Sequence, residues 1–189
     1  MLILSELQVY PLIITSLWLM LPAYFPNPFA VVVGGGTPID FGKNFIDGKR
    51  ILGDGKTWRG LFGGAASGIL IGLLQIYLAQ QVANLISLDE LPIFPIVVLF
   101  SLSFGALIGD IIMSFVKRRL GLKRGAPLPI IDQLDFVFGA FALTYVFAPN
   151  WFISNFTFWI IIAILIVTPV LHRITNIIGY ILKLKEVPW

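Results

Sequence analysis

Five long apolar segments dominate the chain, at 2–25, 61–88, 93–115, 134–147 and 152–182, and polar residues gather between them in two stretches, 34–60 and 117–131. A helix needs ~20 apolar residues to cross a ~30 Å hydrocarbon core. The pattern therefore predicts an all-α integral membrane protein with five transmembrane helices, forming a single polytopic membrane domain over 1–189. The fourth segment is short, about 14 residues between Asp132-Gln133 and Pro149-Asn150, which puts its acidic beginning in or near the membrane. In the fifth, ~1.5 Å per residue exhausts the core near Leu171 and leaves His172 and Arg173 at the far interface. The first run lacks the basic start and small-residue cleavage site of a secretory signal, so it is expected to be a retained helix. Gly63, Gly64, Gly68 and Gly72 recur at the spacing of a small-residue packing face, which permits a homodimer without requiring one.

Composition supports the same class. With 58% hydrophobic and 12% charged residues and a mean hydropathy of +0.93, the chain is not a water-soluble domain. The absence of cysteine excludes a disulfide framework, a thiolate zinc site and a cysteine nucleophile. All 13 basic residues lie in the two polar stretches or from Arg173 onward. By the positive-inside rule, both loops and the C-terminus face the cytoplasm and the N-terminus lies outside, with a polar cavity at the cytoplasmic face of the cell membrane. The net charge of +3, confined to one face, suits anionic membrane lipids at ~1 kcal/mol per residue near the surface. It gives no reason to invoke nucleic acid. Trp18, Trp151, Trp159 and Trp189 are expected as interfacial anchors.

Charge patterning adds chemistry to topology. The first loop contains Asp47-Gly48-Lys49 and, seven residues on, Asp54-Gly55-Lys56. Asp-Gly pairs favour tight turns, and glycines let backbone N–H groups approach a phosphate that lysines neutralise; the same charges also suit a solvated surface. Gly55-Lys56-Thr57 is not a Walker A loop, because Arg50 stands where its first glycine belongs. Asp110 lies inside the third apolar segment, and an acid there marks a functional site by default, since its burial in hydrocarbon costs several kcal/mol unless it is paired. Asp110, Ser114 and Lys117, spaced i, i+4 and i+7, line one helix face with Arg118 beside it. Asp132 and Asp135, spaced i, i+3, converge on the same place if the third and fourth helices are neighbours. Three carboxylates flanked by cations suggest a divalent ion holding a polyphosphate, and Mg2+ characteristically takes one or two carboxylates plus substrate phosphates.

These residues also resemble a family. Gly109-Asp110, Ser114, Lys117-Arg118, Lys123 and Asp132-Gln133-Leu134-Asp135 look like the C-terminal signature of the membrane CDP-diacylglycerol synthases, and Lys56-Thr57-Trp58, Gly60, Gly63 and Gly64 look like a second motif of that family. The short chain, the Asp-Gly-Lys repeats and the ending from His172 through Asn176 and Tyr180 are more similar to the archaeal branch, the CDP-archaeol synthases. The chain departs from the bacterial pattern at Arg59, Arg124 and Gln133. The resemblance implies a cytidylyltransferase that joins CTP to an isoprenoid glycerol ether-lipid phosphate and releases pyrophosphate. It implies Asp110, Asp132, Asp135 and Lys117 as catalytic residues and the three acids as Mg2+ ligands. Lys43, Lys56, Thr57, Arg59, Ser114, Arg118 and Lys123 are then the groups for the CTP and lipid phosphates. On the residues alone, a CTP-dependent lipid kinase and a non-enzymatic small-solute transporter stay open. His172, the sole histidine, is expected in a hydrogen-bonded interfacial role, with Asn176 and Tyr180 on its face closing the polar cavity.

Overall fold

The structure, a computed structural model, describes residues 6–122, 126 and 128–181, without the side chains of 6–8, 176, 178 and 179. Lys123, Arg124 and Trp189 lie outside the described residues. The described chain is helical: α1 (Glu6–Tyr24), α2 (Pro26–Val33), α3 (Trp58–Leu85), α4 (Ile96–Arg119), α5 (Ile131–Phe147), α6 (Pro149–Asn155) and α7 (Phe158–Ile181). Extended pairing among the described residues is confined to two isolated antiparallel bridges in the first loop, Pro38 with Thr57 and Asn44 with Arg50. Four helical stretches are long and apolar enough to cross a membrane: Val9–Val33, Trp58–Leu85, Ile96–Arg119 and Phe158–Thr175. At 17 residues, α5 spans roughly 26 Å by its rise per residue.

Beyond shifts of about three residues at the starts of α3, α4 and α5, the helices depart from the sequence-predicted boundaries in three places, each with a local cause. The first apolar run continues past Phe25 to Val33, because the bonds from Phe25 N–H to Leu21 O and from Phe29 N–H to Phe25 O carry the chain through the α1/α2 junction. The third helix extends through Lys117, Arg118 and Arg119, which form its last turn, where cations meet the unpaired carbonyls favourably. It stops at Gly121 (φ +73°), with Gly121 N–H donating to Arg118 O and Leu122 N–H to Lys117 O, a Schellman end. The expected fifth helix is two helices. Asn155 Nδ2 donates to Trp151 O (2.8 Å) at the end of α6, and α7 begins afresh, with Ile161 N–H on Thr157 O.

Helix α4 is the centre of the bundle, packed on α3 and most extensively on α5. Leu99, Leu102, Ala106, Val137, Ala140 and Ile164 are buried around it. Small residues set the spacing. A Cβ at Gly68 would meet the Pro22 carbonyl and the Ser103 hydroxyl, and one at Gly72 would meet Leu99, so the glycine face of α3 is a packing face as expected. Of the tryptophans, Trp18 is buried rather than interfacial, donating from Nε1 to Pro92 O (2.9 Å). Trp151 Nε1 reaches Ile93 O (3.1 Å). The two indoles thus pin the short connection between α3 and α4 at the end of the bundle opposite the first loop.

Candidate functional site

The charged end of the bundle is built on the crossing of α4 and α5. Gly105, Gly109 and Gly139 meet there backbone to backbone: a Cβ at Gly109 would collide with the Asp135 carbonyl, and one at Gly139 with the Gly105 carbonyl and the Gly109 backbone. That approach sets Asp110, the next residue along α4, beside Asp135 on α5. Asp135 lies within electrostatic reach of Asp110, Asp132 and Lys56.

Two lysines bind two of these acids. Lys56 Nζ donates to Asp110 Oδ2 in a close ion pair, both side chains partly buried. Lys117 Nζ donates to Asp132 Oδ2 (2.6 Å) and to Ala126 O (3.1 Å). The same Asp132 oxygen accepts the Leu128 N–H (2.8 Å), while Asp132 Oδ1 is buried with no hydrogen-bond partner among the described residues. Asp135 has no ion pair among the described residues, and its Oδ1 accepts only the N–H of Phe136 (2.6 Å). No group of three metal-binding side chains stands ready-made among the described residues. Lys56 and Lys117 instead hold Asp110 and Asp132 apart as separate pairs.

Backbone geometry before α5 aims Asp132. Ile130 has φ +69° and ψ −51°, and Ile131 N–H bonds Pro129 O (2.8 Å) across it, closing a γ-turn. A β-branched residue in the left-handed region costs about 1–3 kcal/mol. The turn places Asp132 in the first turn of α5, where a carboxylate is favoured by the helix dipole.

The first loop is ordered by an acid that the sequence reading left unassigned. Asp40, its side chain fully buried, accepts from Gly42 N–H (3.1 Å), Leu52 N–H (2.9 Å), Gly53 N–H (2.9 Å) and Arg50 Nη2 (2.9 Å). Burial alone would raise its pKa, but the Arg50 guanidinium and the three N–H groups outweigh burial and hold the carboxyl well below the usual carboxylate range. Its stabilisation of the loop is therefore complete above the ordinary carboxylate pKa and is lost as pH falls toward the depressed one. Arg50 also pairs with Asp54 (2.8 Å). The two Asp-Gly-Lys repeats thus become turns of one folded loop.

The remaining sequence-predicted residues divide by exposure. Thr57 is buried and is the N-cap of α3, its hydroxyl accepting Gly60 N–H (3.1 Å); this fixes the start of the helix directly after Lys56. Lys43 and Arg59 are exposed, with no ion pair among the described residues. Ser114 is half-buried between Asp110 and Lys117, and Arg118 is half-buried with a buried Nε that has no partner among the described residues. Lys123 lies outside the described residues. His172 lies on α7, where Tyr180 is 47% exposed, and α7 packs on α1 and α5. Sequence reasoning assigned no role to Asp40, Arg119, Gly105 or Gly139, and named Gly109 only within the family signature, not as a packing residue. The signals available were Asp40-Phe41-Gly42, an Asx-turn spacing, and Gly105 with Gly109, a small-residue pair at i, i+4.

Apolar helices that gather lysine-bound carboxylates at one end of a bundle, below a glycine-rich loop, define a multi-pass membrane protein built to handle anionic groups. The chain belongs to the CarS-like CDP-archaeol synthase family, whose model matches residues 9–189. It is similar to the CDP-archaeol synthases of Methanosarcina barkeri (52% identity over 90% of this chain and 100% of the relative) and Methanococcoides burtonii (54% identity, with the same coverage). The Archaeoglobus fulgidus protein of that name is 51% identical over 94% of this chain and 98% of its own. A solved structure described as an intramembrane enzyme for archaeal membrane lipids biosynthesis is similar in fold and sequence. Its TM-score is 0.70 and its identity 37%, with 87% of this chain and 94% of that one covered.

Proposed function

We propose that the protein is a CTP:lipid-phosphate cytidylyltransferase that converts CTP and an isoprenoid ether-lipid phosphate, of the bis-geranylgeranylglycerol phosphate type, into a CDP-lipid and pyrophosphate. The observation that carries this reading is the pair of lysine–carboxylate contacts, Lys56–Asp110 and Lys117–Asp132, near an Asp135 that has no ion pair among the described residues, in a chain of the CDP-archaeol synthase family. In this reading the chain is one membrane domain with five crossings. The short α5 is the fifth, the N-terminus lies outside the cell membrane, and the polar site faces the cytoplasm, where positive charge is retained.

The reaction asks little covalent chemistry of the protein. A lipid phosphate is already an anionic nucleophile at neutral pH; its oxygen attacks the α-phosphorus of CTP in line, and the bond from that phosphorus to the bridging oxygen breaks as pyrophosphate departs. The barrier lies in bringing two polyanions together and in neutralising the leaving group. Lys56 and Lys117 meet both needs by exchanging carboxylate for phosphate as substrates arrive, and exposed Lys43 and Arg59 extend the cationic rim. Arg118 and, by resemblance, Lys123 and Ser114 complete the phosphate contacts.

The donor set fits Mg2+. Asp132 Oδ1 is a buried acceptor without a donor among the described residues, Asp135 has no ion pair among them, and substrate phosphates release the lysines from their acids. Asp110, Asp132 and Asp135 would hold the ion, which supplies charge neutralisation on the departing pyrophosphate when bound.

The test is to incubate the purified protein with CTP, Mg2+ and either the unsaturated ether-lipid phosphate or phosphatidic acid, following phosphorus products by NMR. CDP-lipid with pyrophosphate, formed preferentially from the ether lipid, is expected; CDP with a newly phosphorylated alcohol would identify a kinase. Lys56→Ala is expected to raise the KM for CTP roughly tenfold while changing kcat less, because it removes binding common to ground and transition states. Initial rates over a CTP series check this, and a loss confined to kcat would move Lys56 from binding to chemistry.

A further inference from the structure

Besides the Lys56–Asp110 pair, the first loop is joined to α4 by one elaborate contact. Arg119, in the last turn of α4, donates from Nη1 to Asp47 Oδ1 (2.7 Å) and from Nη2 to the carbonyl oxygens of Arg50 (2.5 Å) and Lys49 (3.3 Å). Its guanidinium carbon lies 4.7 Å from the Phe45 ring centroid and 4.9 Å from that of Phe115, and the two rings meet edge to face at 5.4 Å. Lys49 completes the contact, donating from Nζ to Arg119 O (3.2 Å). Only 19% of the Arg119 side chain is exposed. Membrane topology needs a cation at this helix end but not this geometry. Fork donation combined with stacking on aromatic faces is available to arginine and not to lysine.

The clamped turn is mechanically connected to the site. Arg50, whose carbonyl Arg119 holds, grips Asp40 through its own guanidinium, and Asp40 in turn binds Leu52 and Gly53. Lys43 O accepts Ile51 N–H (3.1 Å), and Lys56 O accepts Ile39 N–H (2.8 Å). Both loop lysines assigned to phosphate therefore stand on backbone that the clamp fixes to α4, the helix that carries Asp110.

We propose that Arg119 is a positioning residue: it locks residues 45–50 onto α4, so that CTP meets a loop already ordered, with Lys56 on Asp110 and Lys43 on the same folded backbone. This rests on the cytidylyltransferase reading. Ordering the loop in advance removes an entropic cost from binding, and Arg119 itself, engaged by five groups, does not touch substrate.

The test uses the full chain in nanodiscs. Because the protein has no cysteine, Ile46→Cys, at a side chain 94% exposed, gives a single spin-label site on the clamped turn. Arg119→Ala is expected to mobilise that label and to raise the KM for CTP roughly tenfold with a much smaller change in kcat. Asp47→Asn, which alters only the loop side of the clamp, is expected to shift both readouts the same way by less, and Arg119→Lys to restore them partly. An unchanged label spectrum in Arg119→Ala would overturn the clamp. Complete restoration of both readouts by Arg119→Lys would also overturn it, since charge alone would then suffice. Absence of CDP-lipid formation by the unsubstituted protein would defeat the functional reading, and the label spectra would still decide whether Arg119 holds the loop.

Discussion

Asp135→Asn is expected to cut kcat for CDP-lipid formation about a thousandfold while the protein stays folded, the scale of losing one group that stabilises transition-state charge. The substitution is isosteric and keeps an oxygen to accept the Phe136 N–H, so the backbone at the start of α5 has no reason to move. What it removes is the one carboxylate of the three with no lysine among the described residues. Asp110 and Asp132 each have a paired lysine, which in the proposed reading substrate phosphates draw away, whereas Asp135 would be open to Mg2+ from the outset. Its charge also adds to the field of Asp110 and Asp132, which gives a divalent ion its reason to bind there. Two measurements check the expectation: turnover with CTP and lipid phosphate, and thermal unfolding compared with the unsubstituted protein. Unchanged unfolding with lost turnover is the predicted pair. Turnover within a few-fold of normal would remove Asp135 from the chemistry and leave the metal role to Asp110 and Asp132.

Much of this arrangement is legible in the chain because hydrocarbon makes strict demands. Backbone groups in lipid must be satisfied within their own segment, so long apolar runs read directly as helices, and an acid such as Asp110 within one reads as a site. The end of α4 is less legible, since Lys117–Arg119 look like a linker by polarity although a helix C-terminus welcomes cations. The division between α6 and α7 is silent for the opposite reason: Phe152, Ile153, Phe156 and Phe158 continue the apolar character across the break, and the interruption comes from Asn155 turning back on Trp151. Partners that lie far apart in the chain are the least legible. Arg119 and Asp47 are separated by 72 positions, and Lys56 and Asp110 by 54. Each residue is visible as a charge, but neither pairing has a local sequence signature. The γ-turn at Ile130 is equally unforeseeable, because a β-branched residue is among the least suited to positive φ.

The second large effect is expected at a residue that carries no functional group. Gly139→Val should destabilise the protein by about 3 kcal/mol, the upper part of the range for overpacking a well-packed interior, and should cut turnover further than the lost stability explains. The obstacle is backbone rather than side chain: the new Cβ falls on the Gly105 carbonyl and the Gly109 backbone, and neither can rotate away. Relief requires α4 and α5 to separate, and Gly109 is the immediate neighbour of Asp110, so separation pulls Asp110 away from Asp135. Gly63→Ala is the contrasting case. Its Cβ would meet only the Val33 side chain, at the last residue of the short α2, which can shift more readily than a backbone crossing of two long helices, and its cost should stay near 1 kcal/mol with turnover retained once the protein is folded. Unfolding midpoints and initial rates at a temperature where both variants are folded distinguish the two. If Gly139→Val keeps normal turnover under those conditions, the close helix crossing serves stability alone, and the spacing of Asp110 and Asp135 is set by their substrates and metal instead of by the glycines.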